Sequence, residues 1–585
     1  MESQRNIILI GLAFVSYLLF VSWQQDYAPQ QQQPVSGQAP VVNNNAVSEA
    51  EEFPSEINTA DQTETYSTVE TAVQELPQSA ENITLGQNNS PLISVETDVL
   101  RLQIDLRGGD IVQGQLKAYP LYQADPDQPI TILRNSNGRV YTAMSGLIGS
   151  GMPESEKPRA LFSATAKSFQ LSEGDDVLTI PLRWINSKGM VINKIITLER
   201  GSYLIGVKYR VENSSAEKLS ATFFGQLKRD QLVEEDNSGG GLGIRAYLGS
   251  AYSTKEKRYE RYDFDDMNEA NLNVSTEGGW IAYLQHYFIS AWVPDQSKVN
   301  QIATLTPGGM GIIRVMSPKV TVNPGELLEV GGHLYLGPKI QEKLEVIADG
   351  LDLTVDYGFL WWIGQPLFWL LHWFNSIIGS WGLAIIMVTV TVKSLFYPLS
   401  NAQYRSFAKM RTIQPKITAL KERIGDDRQK MSQAMMELYK KEKVNPLGGC
   451  LPLLVQMPVF IALYWVLLET VELRHAEFYL WIHDLSAKDP YYILPLLMGA
   501  SMFLMQKMQP VAATMDPMQQ KIMQFMPVIM TVFFLFFPAG LVLYWLVNNL
   551  LSIAQQLYVT RKIEREFAEK NSKKSLSKPS KKQKS

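Results

Sequence analysis

Between residue 380 and its basic tail, the chain passes through five apolar stretches, roughly 380–398, 450–469, 491–508, 521–537 and 540–558. Each has about the length of helix that a bilayer's hydrocarbon core accepts. Lipid offers no water to satisfy backbone N–H and C=O groups, so each stretch must close its own hydrogen bonds as a helix. Several stretches are short and carry proline, at Pro452, Pro458, Pro495 and Pro527. The backbone groups that proline frees need neighbouring helices or water, so these helices expect close company. The last two are joined by "FPAG", a Pro-Ala-Gly turn.

The first half is different. Over 585 residues the net charge of −4 and mean hydropathy of −0.08 describe an average soluble protein only because two unlike halves offset each other. Residues 7–23, "IILIGLAFVSYLLFVSW", form an apolar run preceded by Arg5. A cleaved signal peptide and an uncleaved signal anchor both fit. The length of the run, with no small-x-small site at its end, favours an anchor over 1–23 with its N-terminus in the cytoplasm. Residues 24–92 are rich in Gln, Pro, Ser, Thr, Asn and Glu, which reads as a disordered tether. Over 93–345, segments such as "LRLQIDLRGGDIVQGQLKAY" and "YLIGVKYRVENSS" alternate apolar and polar residues between Gly, Asn and Asp punctuation. That period predicts a large antiparallel β-sandwich. The "GGGLG" at 239–243 lacks a following GK[ST] and reads as a loop, not a phosphate cradle. Cys450 is the only cysteine, which excludes an intramolecular disulfide. The five histidines have no metal-ligand spacing. No catalytic constellation stands out, and no cofactor is implied.

Residues 346–378 lead into the apolar half with Trp361, Trp362, Trp369 and Trp373, a density that suits the headgroup layer. Pro366, Gln365, His372 and Asn375 speak against a clean span, so the region reads as an interfacial amphipathic helix. The core is then 379–559. Its loop 399–449 is strongly basic, as is the tail 560–585, whereas 470–490 holds only Arg474 and Lys488. The positive-inside rule places the first two in the cytoplasm, and six spans with both ends inside place the β domain outside. Within 399–449 a helical hairpin turns at "GDD", with Ile413, Ile417, Leu420 and Ile424 on one face and Met431, Met435 and Leu438 on another. Its basic outside is either a solvated face or a docking surface for a ribosome or anionic lipid, through Arg411, Lys416, Lys421 and Arg423, with Lys573 and Lys574 of the tail.

Lys393 sits inside the apolar run "AIIMVTVTVKSLFYPLS", one turn after Thr389. Near a span's cytoplasmic end a lysine can snorkel to the headgroups, yet an intramembrane charge also marks function. The last stretch carries a polar stripe, Asn548, Asn549, Ser552, Gln555 and Gln556, and Gln456, Gln506 and Gln524 add amides to the other three. Two explanations remain open: interhelical hydrogen-bond glue, or one shared hydrophilic cavity with water reaching it from the cytoplasm.

Four stretches carry a family resemblance: "NPLGGCLPLLVQMPVFIALYWVL", "YYILPLLMGASMFLMQKM", "DPMQQKIMQFMPVIMTVFFLFFPAGLVLYW" and "GDDRQKMSQAMMELYKKEKVNPLGGC". Residues 355–565 strongly resemble the YidC/Oxa1/Alb3 family of membrane protein insertases, and the anchor, tether and exported β domain resemble its Gram-negative form. The resemblance implies a polytopic α-helical protein of the inner membrane, with five core helices and a mutarotase-like supersandwich in the periplasm. It implies insertion and folding of nascent inner-membrane proteins through a groove open to cytoplasm and lipid, alone or beside a Sec translocon. It also implies ribosome and lipid contacts, no sequence-specific nucleic acid, no covalent chemistry, and a monomer that suffices. Lys393 takes the groove position where bacterial members usually have arginine, keeping the charge but losing the planar fork. Thr389, Gln456, Tyr544, Trp545, Asn548 and Ser552 would line the groove, and Met457 and Phe460 would form a greasy slide into lipid. Two rival readings are a small-solute transporter, which would want inverted repeats around a midplane site, and an anchored sugar-binding enzyme. The second leaves the intramembrane polar set without a role.

Overall fold

The computed structural model describes residues 91–576 apart from 137, 156–158, 187–188, 233–246, 426–427, 443–450 and 509–516. The expected anchor, nearly all of the tether, the 239–243 loop, Cys450 and the tail beyond 576 lie outside the described residues.

Alternation becomes two large sheets, of eleven and nine strands, spanning Leu92 to Pro338. Strand Leu204–Glu212 shows the principle: Ile205, Val207, Tyr209 and Val211 are buried, and the residues between them are less so. Its antiparallel neighbours are Val191–Glu199 and Leu327–Pro338, the latter in register from Leu204–Tyr335 to Glu212–Leu327. Pairing is antiparallel among the named strands except where Ser94–Glu96 runs parallel to Ser168–Gln170. Leu100, Leu102 and Ile104 from one sheet share a buried core with Ile192, Ile196, Ile205, Trp292 and Tyr335 from the other, which makes the domain a sandwich.

The long helices follow: α1 (Trp361–Ile378), α2 (Trp381–Leu395), α3 (Tyr397–Ile424), α4 (Arg428–Lys441), α5 (Leu451–Glu469), α6 (Ile493–Met508), α7 (Pro517–Phe534) and α8 (Ala539–Leu576). Helix α1 buries Gly364, Leu367, Phe368 and Leu371 against α2 and α5, and exposes Trp361, Trp362, Trp369 and Trp373. It ends at Gly379, whose φ of 72° is the left-handed conformation that closes helices. Helix α8 lies against α2, α3 and α6. Helices α3 and α4 form the expected hairpin, turning at Gly425 and burying Ile413, Ile417 and Met435 together.

Two features differ from what the apolar stretches suggest. Helix α8 does not stop near 558 but continues to Leu576. Val559 and Ile563 explain the extension, because they pack on Tyr404 and Ala408 of α3, and "RKIEREFAEK" is rich in helix formers. Second, no single helix among the described residues is long and apolar enough to cross a membrane. One bent pair passes together, Trp381–Leu395 with Tyr397–Arg411 at 68°, and Val455–Glu469, Ile493–Met508 and Lys521–Phe534 are shorter apolar helices. Amides and prolines interrupt the apolar faces, so these helices depend on one another.

The sandwich is locked by charge as well as by apolar contact. Lys194, 1% exposed, stands in line with buried Ile192 and Ile196 and reaches across to the other sheet. Its Nζ donates to Gly109 O at 2.8 Å and Gly108 O at 3.0 Å, in the Gly-Gly turn where both residues have positive φ. Nearby Arg159 pairs with Asp110 and Glu154. Burial pushes the Lys194 ammonium down to about 8 from an ordinary 10.5. Between those values the unfolded chain binds more protons than the folded one, so stability rises with pH across that window, by at most about 1.4 kcal/mol per pH unit. The β domain's thermal midpoint is therefore expected to climb between pH about 8 and about 10, and Lys194→Met to abolish the climb. A midpoint that stays flat or falls with pH in the parent protein would contradict this.

Candidate functional site

Helices α2 and α8 face each other and bring the key side chains together. On α2, Thr389 and Lys393 are one turn apart and share a face. Both are buried, at 1% and 8% exposure. Thr389 Oγ1 donates back to Ile385 O at 2.7 Å, so it turns its hydroxyl proton to its own helix. Lys393 Nζ donates to Ser552 Oγ of α8 at 2.8 Å. Ser552 in turn donates to Asn548 O at 2.7 Å, with Tyr404 of α3 close by. Among the described residues no carboxylate lies within ion-pairing distance of Lys393. An ammonium group has three donors; one meets Ser552.

The polar stripe of α8 divides between two neighbours. Ser552 turns to α2. Asn549 Nδ2 donates to Ser501 Oγ of α6 at 3.0 Å, and Gln556 Nε2 donates to Met508 O at 3.0 Å. Gln506 donates to Met523 O of α7. These three amides are interhelical ties, as the glue explanation expects. Gln456 of α5 donates to Ser400 Oγ of α3 at 3.2 Å, which brings α5 to the cluster's edge. Asn548 is half-buried beside Ser552.

Aromatic rings adjoin this polar set. Phe460 of α5 stacks on Tyr544 at 5.9 Å between centroids and meets Trp545 edge-on at 4.7 Å. Tyr544 is buried, while Phe460 and Trp545 are partly exposed. Met457, one turn before, is 40% exposed. Among the described residues, Trp545 Nε1 and Gln555 Oε1 are buried with no hydrogen-bond partner. A buried donor left unmet costs about 1–3 kcal/mol, so Trp545 Nε1 asks for water or a polar guest. The partners that sequence reasoning missed are Ser400, Tyr404 and Ser501. Serine and tyrosine are common, and only the cross-helix contacts reveal them.

Arg411, Lys416 and Arg423 are exposed on α3, and Lys416 pairs with Glu442 at 2.6 Å. Lys421, Lys573 and Lys574 lie on α3 and α8, with side chains outside the described set. Among the described residues no cluster of His, Cys, Asp and Glu could hold a metal ion.

Two family models cover most of the chain: "60Kd inner membrane protein" over residues 373–566 and "YidC periplasmic domain" over 92–370. Membrane protein insertase YidC of Shewanella baltica (strain OS195) is 51% identical over 558 residues, covering 95% of this chain and 98% of the relative. That of Aeromonas hydrophila is 50% identical over 568 residues, covering 97% and 99%. The chain belongs to the membrane protein insertase YidC family. It is an inner-membrane insertase with a periplasmic β domain, not an enzyme. An active YidC insertase crystal structure with the first transmembrane domain resolved aligns at TM-score 0.37 and 19% identity, over 80% of this chain and 92% of that one. A galactose mutarotase related enzyme from Lactobacillus acidophilus aligns at TM-score 0.27 and 9% identity, over 42% and 97%. At those scores the sheets and register above, not the alignments, define the fold.

The buried Lys393 makes the insertase less stable than it could be. Replacing it by an apolar side chain of similar length removes a buried charge that has no counter-ion among the described residues. Lys393→Met is expected to stabilise the helical region by about 1–3 kcal/mol while lowering insertion. Thermal unfolding in detergent and insertion in proteoliposomes check the two halves, and a destabilised variant with full activity would contradict the expectation.

Proposed function

We propose that this insertase works through a hydrophilic groove bounded by α2, α5 and α8, open to the cytoplasm and sideways to lipid. Lys393, Ser552 and Asn548 form its polar floor, with Thr389 and Gln456 at its edge and Tyr544 and Trp545 on its wall. Met457 and Phe460 make the slide by which a substrate helix leaves for lipid. The observation that carries this reading is the Lys393–Ser552 contact at 2.8 Å: a buried ammonium with no acid beside it among the described residues, adjoining partly exposed aromatic rings.

An acidic or polar segment of a nascent inner-membrane protein supplies the counter-charge that Lys393 lacks. Once that segment is in the groove, the bilayer it still has to cross is thinner. The substrate's own apolar helix drives the rest, at about 25 cal/mol per Å² of apolar area buried. The membrane potential adds about 2.3 kcal/mol per charge per 100 mV, favouring outward transfer of acidic segments. No nucleotide or covalent step is needed. In this reading the anchor and five core helices make six spans, with both termini cytoplasmic. The domains are then the anchor 1–23, tether 24–92, β domain 93–345, interfacial helix region 346–378, core 379–559 and tail 560–585. The α3–α4 hairpin and tail receive the ribosome or anionic lipid, and a monomer works alone or beside the Sec translocon.

A photocrosslinking residue at Thr389 or Trp545, with ribosomes stalled on a short membrane protein, tests the groove. Both sites are expected to capture the nascent span. Lys393→Glu should cut the yield about tenfold, the scale of one lost charge contact, and Lys393→Arg should hold it. Capture of the nascent chain elsewhere, with none at these two sites, would overturn the proposal.

A further inference from the structure

Glu469 is the last residue of α5, and a carboxylate there faces the negative end of the helix dipole. Its side chain is 4% exposed, and its Oε2 accepts from Lys339 Nζ, 3% exposed, at 2.9 Å. Lys339 directly follows the β domain's last strand, Leu327–Pro338, and its backbone N–H donates to Tyr287 O at 2.9 Å. Its Nζ also reaches Thr354 O at 3.4 Å. One residue before Glu469, Leu468 O lies 3.0 Å from His286 Nε2. Beyond the helix, Arg474 donates to Pro120 O at 2.8 Å and Gln123 donates to His483 O at 2.9 Å. The β domain thus grips the outer end of α5. The same helix carries Phe460, Met457 and Gln456, the last about 20 Å further along its axis.

A buried ion pair is a poor source of stability, because an apolar pair of equal volume does as well or better. What it supplies is a single geometry, since either charge alone in that place is costly. A carboxylate at a helix C-terminus adds to that cost, so the placement makes sense only with Lys339 opposite. Helix α5 needs such a fix: Pro458 interrupts its hydrogen bonding, and its apolar residues ring the whole helix rather than one face.

We propose that the Lys339–Glu469 pair sets the depth and rotation of α5 against the β domain, and so aims Gln456, Met457 and Phe460 at the incoming segment. Lys339 and Glu469 are positioning residues for insertion. The proposal rests on the groove reading above. It turns the β domain from a passenger into the outer bearing of a groove helix.

The test places a photocrosslinker at Phe460 in the full-length protein in its own membrane, with a stalled nascent membrane protein as target. Lys339→Met and Glu469→Gln, each alone, are expected to lower the crosslink per molecule of accumulated protein at least fivefold. The exchange Lys339→Glu with Glu469→Lys restores the pair and is expected to recover the parent yield to within twofold. If the single variants fail to accumulate, recovery of accumulation and crosslinking by the exchange still supports the pairing. Single variants with unchanged crosslinking overturn the proposal. So does an exchange variant that accumulates normally yet does not crosslink, or one that fails to accumulate like the singles. Absence of any crosslink from the parent protein would instead refute the groove itself.

Discussion

One ammonium group organises the membrane half of this protein. Lys393 is held between α2 and α8, 8% exposed, with Ser552 accepting from it and no acid opposite among the described residues. A charge in that place is expensive unless water or a counter-charge reaches it. Much of the surrounding chemistry follows from that cost. Ser552 is itself oriented by Asn548 O, one turn earlier on α8. The amides three residues before and four after it on α8, Asn549 and Gln556, turn instead to α6, which ties the helices together. In the proposed reading the site holds a positive charge in want of a partner, and a transiting polar segment supplies it.

Much of this was legible in the sequence, for identifiable reasons. Strand alternation in "YLIGVKYRVENSS" reports directly on burial, and the corresponding strand buries every second residue. The hairpin at 399–449 was readable because Ile413 and Ile417 repeat at helical spacing before the turn, and Met431 and Met435 after it. Lys393 stood out because a lone charge in an apolar run has few explanations. Partners across helices were not legible. Nothing in sequence separates Ser552, which meets Lys393, from Ser501, which meets Asn549. The stripe on α8 left glue and a shared cavity both open, and the fold divides it into ties to α6 and a serine that meets Lys393 of α2. The extent of α8 was also hidden, because the packing of Val559 and Ile563 on α3 decides it. The seam between the β domain and α5 left no trace, since Lys339 and Glu469 are far apart in the chain and neither belongs to a motif.

The two halves are also less separate than their compositions suggest. A single buried cluster runs from Trp280 and Trp292 in the sandwich through Tyr357 and Leu367 to Val466 and Val542 in the helices. Short, proline-interrupted helices cannot hold their own positions in lipid. A rigid sheet domain set against the outer ends of the helices supplies a fixed reference for them. Insertion through the proposed groove asks for helices loose enough to admit a guest and aligned enough to present it, and that division of labour meets both needs.

The central claim is that Lys393 lies in a hydrated, positively charged groove reached from the cytoplasm. Cys450 is the only cysteine, so a Cys450→Ser background leaves a clean reporter. With Asn548→Cys in that background, inverted membrane vesicles can be treated with membrane-impermeant thiol reagents of either charge. The account predicts labelling from the cytoplasmic face, faster for the anionic reagent, with the preference reversed by Lys393→Glu. No labelling from that face, or equal rates for the two reagents, would contradict it.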